Sequence, residues 1–320
     1  MRSLIPVAVI VSIVAAAAPA RAQNDFVGTR AMGMGEAQRA NATGASGPLL
    51  NPAGMSLVRQ YVIEGMYGIK IEDVGHNANL SIVDSITSRV AAGLFYDYIN
   101  ETPRIGFNWA GGRIDSEQIS RTGHVAGLSL SLPFGDHFII GATAKYLHLD
   151  TTAPLPMGSV PNHLTLDSVN GVTFDVGMIV KLGDTFNVGL VGYNLWDHGS
   201  RESPLSLGIG LSYMPIPSLF INFDTVIDFT GFQTYRVDMT GKVTLDQKTT
   251  ARLGPGIEWI VGSVVPIRAG VIYDSGLQST YLTGGVGYLS TAFGIDLSYR
   301  GKVAGGVENF LMLGIRIFID

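Results

Sequence analysis

From Tyr61 almost to the last residue, the chain alternates apolar and polar positions. Tyr61, Ile63, Gly65, Tyr67, Ile69 and Ile71 interleave with Val62, Glu64, Met66, Gly68 and Lys70. Neighbours along a strand point to opposite faces, so one face is apolar with two tyrosines and the other carries Glu64 and Lys70. The same period runs through positions 90–98, 126–134, 138–146, 205–213 and 293–299. Such stretches approach the ~9–11 residues that a tilted strand needs to cross a bilayer, and strands of soluble sandwiches are usually shorter. The side opposite the apolar one is rich in Gly, Ser and Thr with scattered charge, as a lumen would be. Aromatics cluster at strand ends, where interfacial girdles form. The pattern predicts an all-β fold, a transmembrane antiparallel β-barrel.

Tight turns at 133–136, 183–184 and 215–217 alternate with long segments at 100–122 and 150–169. Outer-membrane barrels pair short periplasmic turns with longer outer loops, so both long segments are expected outside. Periodicity gives about 15 candidate strands, and single-chain bacterial barrels have even numbers. The stretch 234–243, leading to about Thr250, is assigned to an extracellular excursion, which leaves about 14 wall strands. In the last strand Leu311, Leu313, Ile315, Ile317 and Ile319 make a lipid face with Arg316 inside. Gly314-x-x-Ile317-x-Ile319 resembles the C-terminal signal read by the barrel-assembly machinery, although Phe318-Ile319-Asp320 stands where a terminal aromatic is commoner. The expected surroundings are outer-membrane lipid and lipopolysaccharide.

Composition narrows the picture. After Ala22 no run of 18 or more apolar residues occurs, so membrane helices are not expected. Residues 1–22 read as a signal peptide: Arg2, an apolar run, then Ala20-Arg21-Ala22 as the cleavage site. With no cysteine, disulfides and thiolate metal sites are excluded. A net charge of −5 lacks the basic excess of a nucleic-acid binder.

Residues 23–58 do not alternate. Arg30 to Arg39 reads RAMGMGEAQR, a short helical candidate whose Ala31, Gly33, Gly35 and Ala37 suit a narrow enclosure. Asn51-Pro52-Ala53-Gly54 is a turn: Asn bonds its own backbone, Pro presets φ, and Gly frees the exit. A barrel of this size has a wide interior, and 23–58 is expected to fill it as a plug. Residues 59–320 are then the barrel.

The residues Arg30, Ala31, Met34, Gly35, Ala37, Asn51, Pro52, Ala53 and Gly54 resemble the N-terminal hatch motif of FadL-type outer-membrane transporters and the related PorV-like proteins. The stretch 252–274 is similar to the late strands of that family. The resemblance implies a hatch-plugged barrel of 14 strands passing fatty acids or hydrocarbons, with a hydrophobic ligand or detergent in the lumen. It also implies a sideways exit near the third strand, 89–97, where Gly93 is the candidate. Ile105, Phe107 and Trp109, with Leu155, Met157 and Val160, are candidates for an outer apolar groove. The PorV-like alternative is a barrel serving protein secretion or surface attachment, with a secretion-machine partner.

Catalytic chemistry is weakly represented. His148 and Asp150 share a strand face, but no nucleophile motif accompanies them. No zinc-protease or phosphate-loop motif occurs, and no cofactor or metal is expected. The lumen candidates Glu64, Lys70, Arg89, Asp175, Arg236, Arg252, Glu258, Arg268 and Arg316 are mixed in sign, unlike the charged rings of an open porin. Intact-mass measurement of protein purified from outer membranes is expected to place the first residue at Gln23; a chain retaining 1–22 would refute the signal assignment.

Overall fold

The computed structural model describes residues 27–319 except 73, 103, 110–111, 119, 155–162, 201 and 238–242. The strands in chain order are β1 (Tyr61–Lys70), β2 (Gly75–Asp84), β3 (Ala91–Glu101), β4 (Arg104–Trp109), β5 (Gly112–Gln118), β6 (Ser120–Phe134), β7 (Phe138–Pro154) and β8 (His163–Leu182). They continue as β9 (Phe186–Tyr193), β10 (Ser206–Ile216), β11 (Leu219–Val237), β12 (Val243–Val261), β13 (Val265–Asp274), β14 (Ser279–Leu289), β15 (Phe293–Ala304) and β16 (Asn309–Ile319). All but β4 and β5 form one closed antiparallel barrel of 14 strands. Closure comes from β1 on β16, in register from Tyr61 opposite Ile319 to Lys70 opposite Phe310. In hydrocarbon the backbone has no water to bond, so a sheet must pair its own edges, and this one does.

Burial follows the period of two. Along β16 Leu311, Leu313, Ile315, Ile317 and Ile319 are exposed, and Phe310 and Met312 are fully buried. Along β15 Phe293, Ile295, Leu297 and Tyr299 are exposed while Asp296, Ser298 and Arg300 are buried. The outer surface is therefore a continuous apolar band, the inverse of a soluble protein.

The two rims differ. One carries short connections at 85–90, 135–137, 183–185, 217–218, 262–264 and 290–292. The other carries the long ones, and two segments expected there as loops are largely strand. Within 100–122 the chain forms the β4–β5 hairpin, outside the wall, which is why β3 pairs with β6. Segment 150–169 is largely strand: β7 and β8 stay paired to Pro154 opposite His163, although only residues 176–182 of β8 pair with β9. The excursion expected at 234–243 does lie beyond the wall: β11 and β12 pair there only with each other, out to Val237 opposite Val243, and β12 meets β13 only from Arg252. Each long segment keeps bonding its own backbone after the neighbouring strands have stopped, because a two-stranded ladder satisfies it where a bare loop would not. Arg89 also departs from its expected place. It is exposed in the 85–90 turn, donating to the Pro133 carbonyl, and does not line the lumen.

The lipid-facing assignment has a graded consequence. Ile315→Lys, in the middle of the band, should destabilise the barrel by ~2–4 kcal/mol, and Ile319→Lys at the rim by ~1 kcal/mol or less, in urea unfolding from lipid vesicles. Equal costs at both positions would contradict the band.

Candidate functional site: a corked apolar lumen

Residues 27–56 lie inside the wall. They form α1 (Thr29–Gly33), a 3-10 turn (Gly44–Ser46), α2 (Gly47–Leu50) and a second 3-10 turn (Pro52–Ser56). Ala31, Met32, Met34, Ala37, Leu50, Ala53 and Met55 are all fully buried. Asn51 caps the last turn: its Oδ1 accepts the Ala53 N–H at 3.2 Å, and its Nδ2 donates to the Arg39 carbonyl at 2.9 Å and the Met178 carbonyl of β8 at 3.3 Å. A side chain on Gly54 would meet the Ala42 carbonyl oxygen at 2.2 Å, so only glycine lets these two segments cross. The wall answers with glycines of its own. A Cβ at Gly141 would lie 2.5 Å from the Pro52–Ala53 peptide, at Gly177 2.0 Å from Asn51 Oδ1, and at Gly256 2.0 Å from the Met34 carbonyl. Of the glycine run in β14, Gly285 faces Gly33 and Gly284 faces away.

Charge pairs fasten this segment to the wall. Arg30 grips Glu258 of β12 with Nη2 to Oε1 at 2.6 Å and also reaches Thr43 Oγ1 at 3.1 Å. Glu258 accepts in turn from Arg268 of β13 at 2.6 Å, and Arg268 and Arg316 share Asp296. These groups, with Glu64, line a cavity of about 180 Å³ at the short-turn end. Deeper in, Asp224 Oδ2 accepts the backbone N–H groups of Gln38 and Arg39 at 2.9 and 2.8 Å and pairs with the Arg39 guanidinium at 3.1 Å. Arg39 also donates to Tyr193 Oη at 2.8 Å. Burial works against the Arg39 charge, but Tyr193, Asp224 and Glu36 outweigh it and hold the guanidinium above its usual range. Glu36 pairs with Arg300 at 2.9 Å and Arg252 at 3.5 Å.

Beyond the segment, toward the long-loop rim, the polarity of the wall inverts. Phe95, Ile99, Val125, Leu147, Leu149 and Val169 point inward and are buried, packed with Met32, Leu50, Phe310 and Met312. At the same level His76, His124 and Asn170 face outward and exposed, with His148 in register between His124 and Asn170. Oily side chains have moved from the lipid side to the lumen, where they pack with residues 27–56 into an apolar core. Residues 195–199 run exposed along β8, and residues 202–203 turn inward. Glu202, fully buried, accepts from Arg121 Nε at 2.7 Å and from Thr151 Oγ1 at 2.8 Å. Arg121 reaches Glu101 at 3.3 Å, and Glu101 pairs with Lys70 at 2.8 Å. Sequence reasoning missed this buried network and the apolar core beneath it. The available signal was the inverted run Tyr146-Leu147-His148-Leu149, which puts leucines on the lumen side.

The remaining expected residues scatter. Ile105, Phe107 and Trp109 lie on β4, off the wall, and Leu155, Met157 and Val160 fall outside the described residues. At Gly93 the wall is unbroken, with Val83 opposite on one side and Ser129 on the other. Its missing side chain makes room for Met55 and Pro48, within 2.8 and 2.9 Å of where a Cβ would sit. His148 and Asp150 stand 3.6 Å apart on the outer surface, both more than a third exposed, and among the described residues no cluster suits a metal ion.

Removing one partner of a buried pair costs ~3–5 kcal/mol because the other charge is stranded. Asp224→Ala should therefore loosen residues 27–56 while the wall stays folded. In planar bilayers the variant is expected to give long, large conductance openings, and the unaltered protein small flickers. Identical traces from a heat-stable variant barrel would count against the cork.

No protein-family model matches the chain, and no curated protein matches it. Solved structures do. TbuX, the toluene transporter of Ralstonia pickettii, superposes with a TM-score of 0.71 at 13% identity over 92% of this chain and 98% of that one. TodX, the toluene transporter of Pseudomonas putida, gives 0.67 at 13% over 90% and 96%. A FadL homologue from Pseudomonas aeruginosa gives 0.65 at 13% over 91% and 98%. At such identities the likeness is one of architecture. The chain has the fold of FadL-type outer-membrane transporters of hydrophobic compounds.

Proposed function

We propose that this protein carries small, uncharged hydrophobic molecules across the bacterial outer membrane. The observation behind this reading is the packed apolar core inside a lipid-facing barrel, flanked on one side by the buried Glu202–Arg121 pair, read here as the lid of a binding chamber, and on the other by residues 27–56. In this reading 1–22 is removed on export, 23–58 is the hatch, 59–320 is the barrel, and the short-turn rim faces the periplasm. A greasy solute crosses the polar lipopolysaccharide layer poorly. The projecting β7–β8 and β11–β12 hairpins offer it a first contact, and displacement of the lid admits it to the chamber. The solved structures named as toluene transporters share this architecture, which supports the reading.

Electrostatics favours a solute without charge. Among the described residues each buried lysine and arginine of the lumen is already matched: Lys70 to Glu101, Arg121 to Glu202, Lys145 to Asp175, Arg39 to Asp224, Arg252 and Arg300 to Glu36, and Arg268 to Glu258. Buried Asp97, held by the Asn79 amide, adds a further carboxylate. A fatty-acid headgroup would have to break a buried pair, at a cost of ~3–5 kcal/mol, or sit beside like charge. A neutral hydrocarbon needs neither.

The test is uptake of radiolabelled toluene and oleate by cells that lack other hydrophobic-compound channels and express this protein. Toluene is expected to enter faster than in cells with empty vector, and oleate no faster. Equal acceleration of both would refute the preference for neutral solutes, and acceleration of neither would refute transport.

A further inference from the structure

Prolines in the described wall strands sit near strand ends, with one exception. Pro133, Pro154, Pro215 and Pro266 lie within two residues of a terminus, whereas Pro255 is well inside β12 and faces lipid. A closed barrel has no edge on which to place a proline, and this one interrupts the ladder. The β12–β13 pairing runs from Arg252 opposite Asp274 to Leu253 opposite Tyr273, lapses, and resumes at Gly256 opposite Gly270 in the same register. Other breaks in the described ladders, at Tyr213/Ile216, Asp228/Phe232, Thr151/Thr152 and Thr280/Tyr281, fall toward the rims. The neighbouring β13–β14 seam is continuous from Ile267 opposite Val286 to Asp274 opposite Ser279.

The hatch is pressed into this lapse. A Cβ on Gly35 would lie 2.6 Å from the Val271 carbonyl oxygen and 2.7 Å from that of Pro255. A Cβ on Gly254 would meet the Gly35 carbonyl oxygen at 2.0 Å, and one on Gly270 the Gly35 nitrogen at 2.3 Å. The notch is lined by glycine on both sides, so the hatch backbone itself fills it. Thr283 of β14 holds the backbone there, accepting from the Gly35 N–H at 2.9 Å and donating to the Gly33 carbonyl at 3.2 Å. Gly35 and Glu36 both have left-handed backbones, φ 67° and 63°, an unfavourable conformation for Glu36. The Arg300 and Arg252 pairs with Glu36 keep it in place. Three residues before Gly35, Met32 belongs to the apolar core. A single short stretch of hatch thus separates that core from the lapse in the β12–β13 ladder.

The axial way out is different in kind. Straight below the hatch lies the cavity ringed by Arg30, Glu64, Glu258, Arg268, Asp296 and Arg316. An uncharged apolar solute gains nothing there, whereas the outer side of the Pro255 seam carries Leu253, Ile257 and Tyr273.

We infer that the β12–β13 seam at Pro255 is the side portal of this barrel, and that hatch residues 32–36 are its latch: when they withdraw, an apolar molecule passes from the chamber into the bilayer between Gly254–Gly256 and Gly270–Ile272. This rests on the transport reading above and gives it a route that the unbroken wall at Gly93 does not.

Two measurements test it. The first is Pro255→Val, which restores a backbone donor to the seam. A net backbone hydrogen bond of ~1 kcal/mol, at 1.4 kcal/mol per tenfold, should slow toluene uptake by about fivefold, with toluene binding to the purified protein unchanged. The second uses the unaltered protein in lipid nanodiscs, so it does not depend on the variant folding. Backbone amides at 253–257 and 269–273 should exchange with deuterium faster than those of the β14–β15 seam. Wild-type uptake with an equally active variant overturns the portal and leaves transport standing, as does uniform protection across both seams. Absence of uptake by the unaltered protein overturns both.

Discussion

In hydrocarbon there is no water to accept or donate a hydrogen bond, and that constraint governs the whole molecule. It requires β1 to meet β16. A wall of this many strands then encloses a space too wide for its own side chains to fill. An empty space would be an open pore, so the chain spends its first segment filling it. That segment lacks strand pairing, and its backbone groups need partners among wall side chains and its own turns. Asn51, Asp224, Thr283 and Ser298 supply them. Because the backbone must come close to receive them, the wall positions facing it are often glycine.

Much of this was legible in the sequence. A period of two tells which face of each strand meets lipid, and it did so for β1, β7, β15 and β16. The even-number rule removed the surplus strand, and Asn51-Pro52-Ala53-Gly54 marked a compact turn before β1. What periodicity does not encode is what happens above the rim, where neither lipid nor a neighbouring strand imposes alternation. The β4–β5 hairpin and the outward continuation of β7 and β8 are accordingly expected as loops, whereas 234–243 alternates and is expected as an excursion beyond the wall. Nor does it encode pairing at long range: Arg121 meets Glu202 across 81 residues and Ser298 bonds Thr29 across 269. The Glu202 network and the fastenings of residues 27–56 are made of such contacts, and a single sequence carries no trace of which charge will face which.

Buried ion pairs have a double character in this lumen. Replaced by oily residues of the same shape, many would cost the fold little, whereas a lone survivor would cost it a great deal. Matched charges flank the apolar core at both ends, and a salt bridge can be exchanged for water as a packed methyl cannot.

The order of the chain imposes a timetable on its assembly. Residues 27–56 precede the wall in the chain, yet their anchors are Asp224, Glu258, Thr283, Ser298 and Arg300, all in the second half of the sequence. Contacts so distant along the chain form late. The N-terminal segment must therefore wait, without a fixed seat, until the final strands arrive, and it has to be inside the curl of the sheet before the first and last strands zip together. A segment that precedes the whole wall in the chain is the last to find its place.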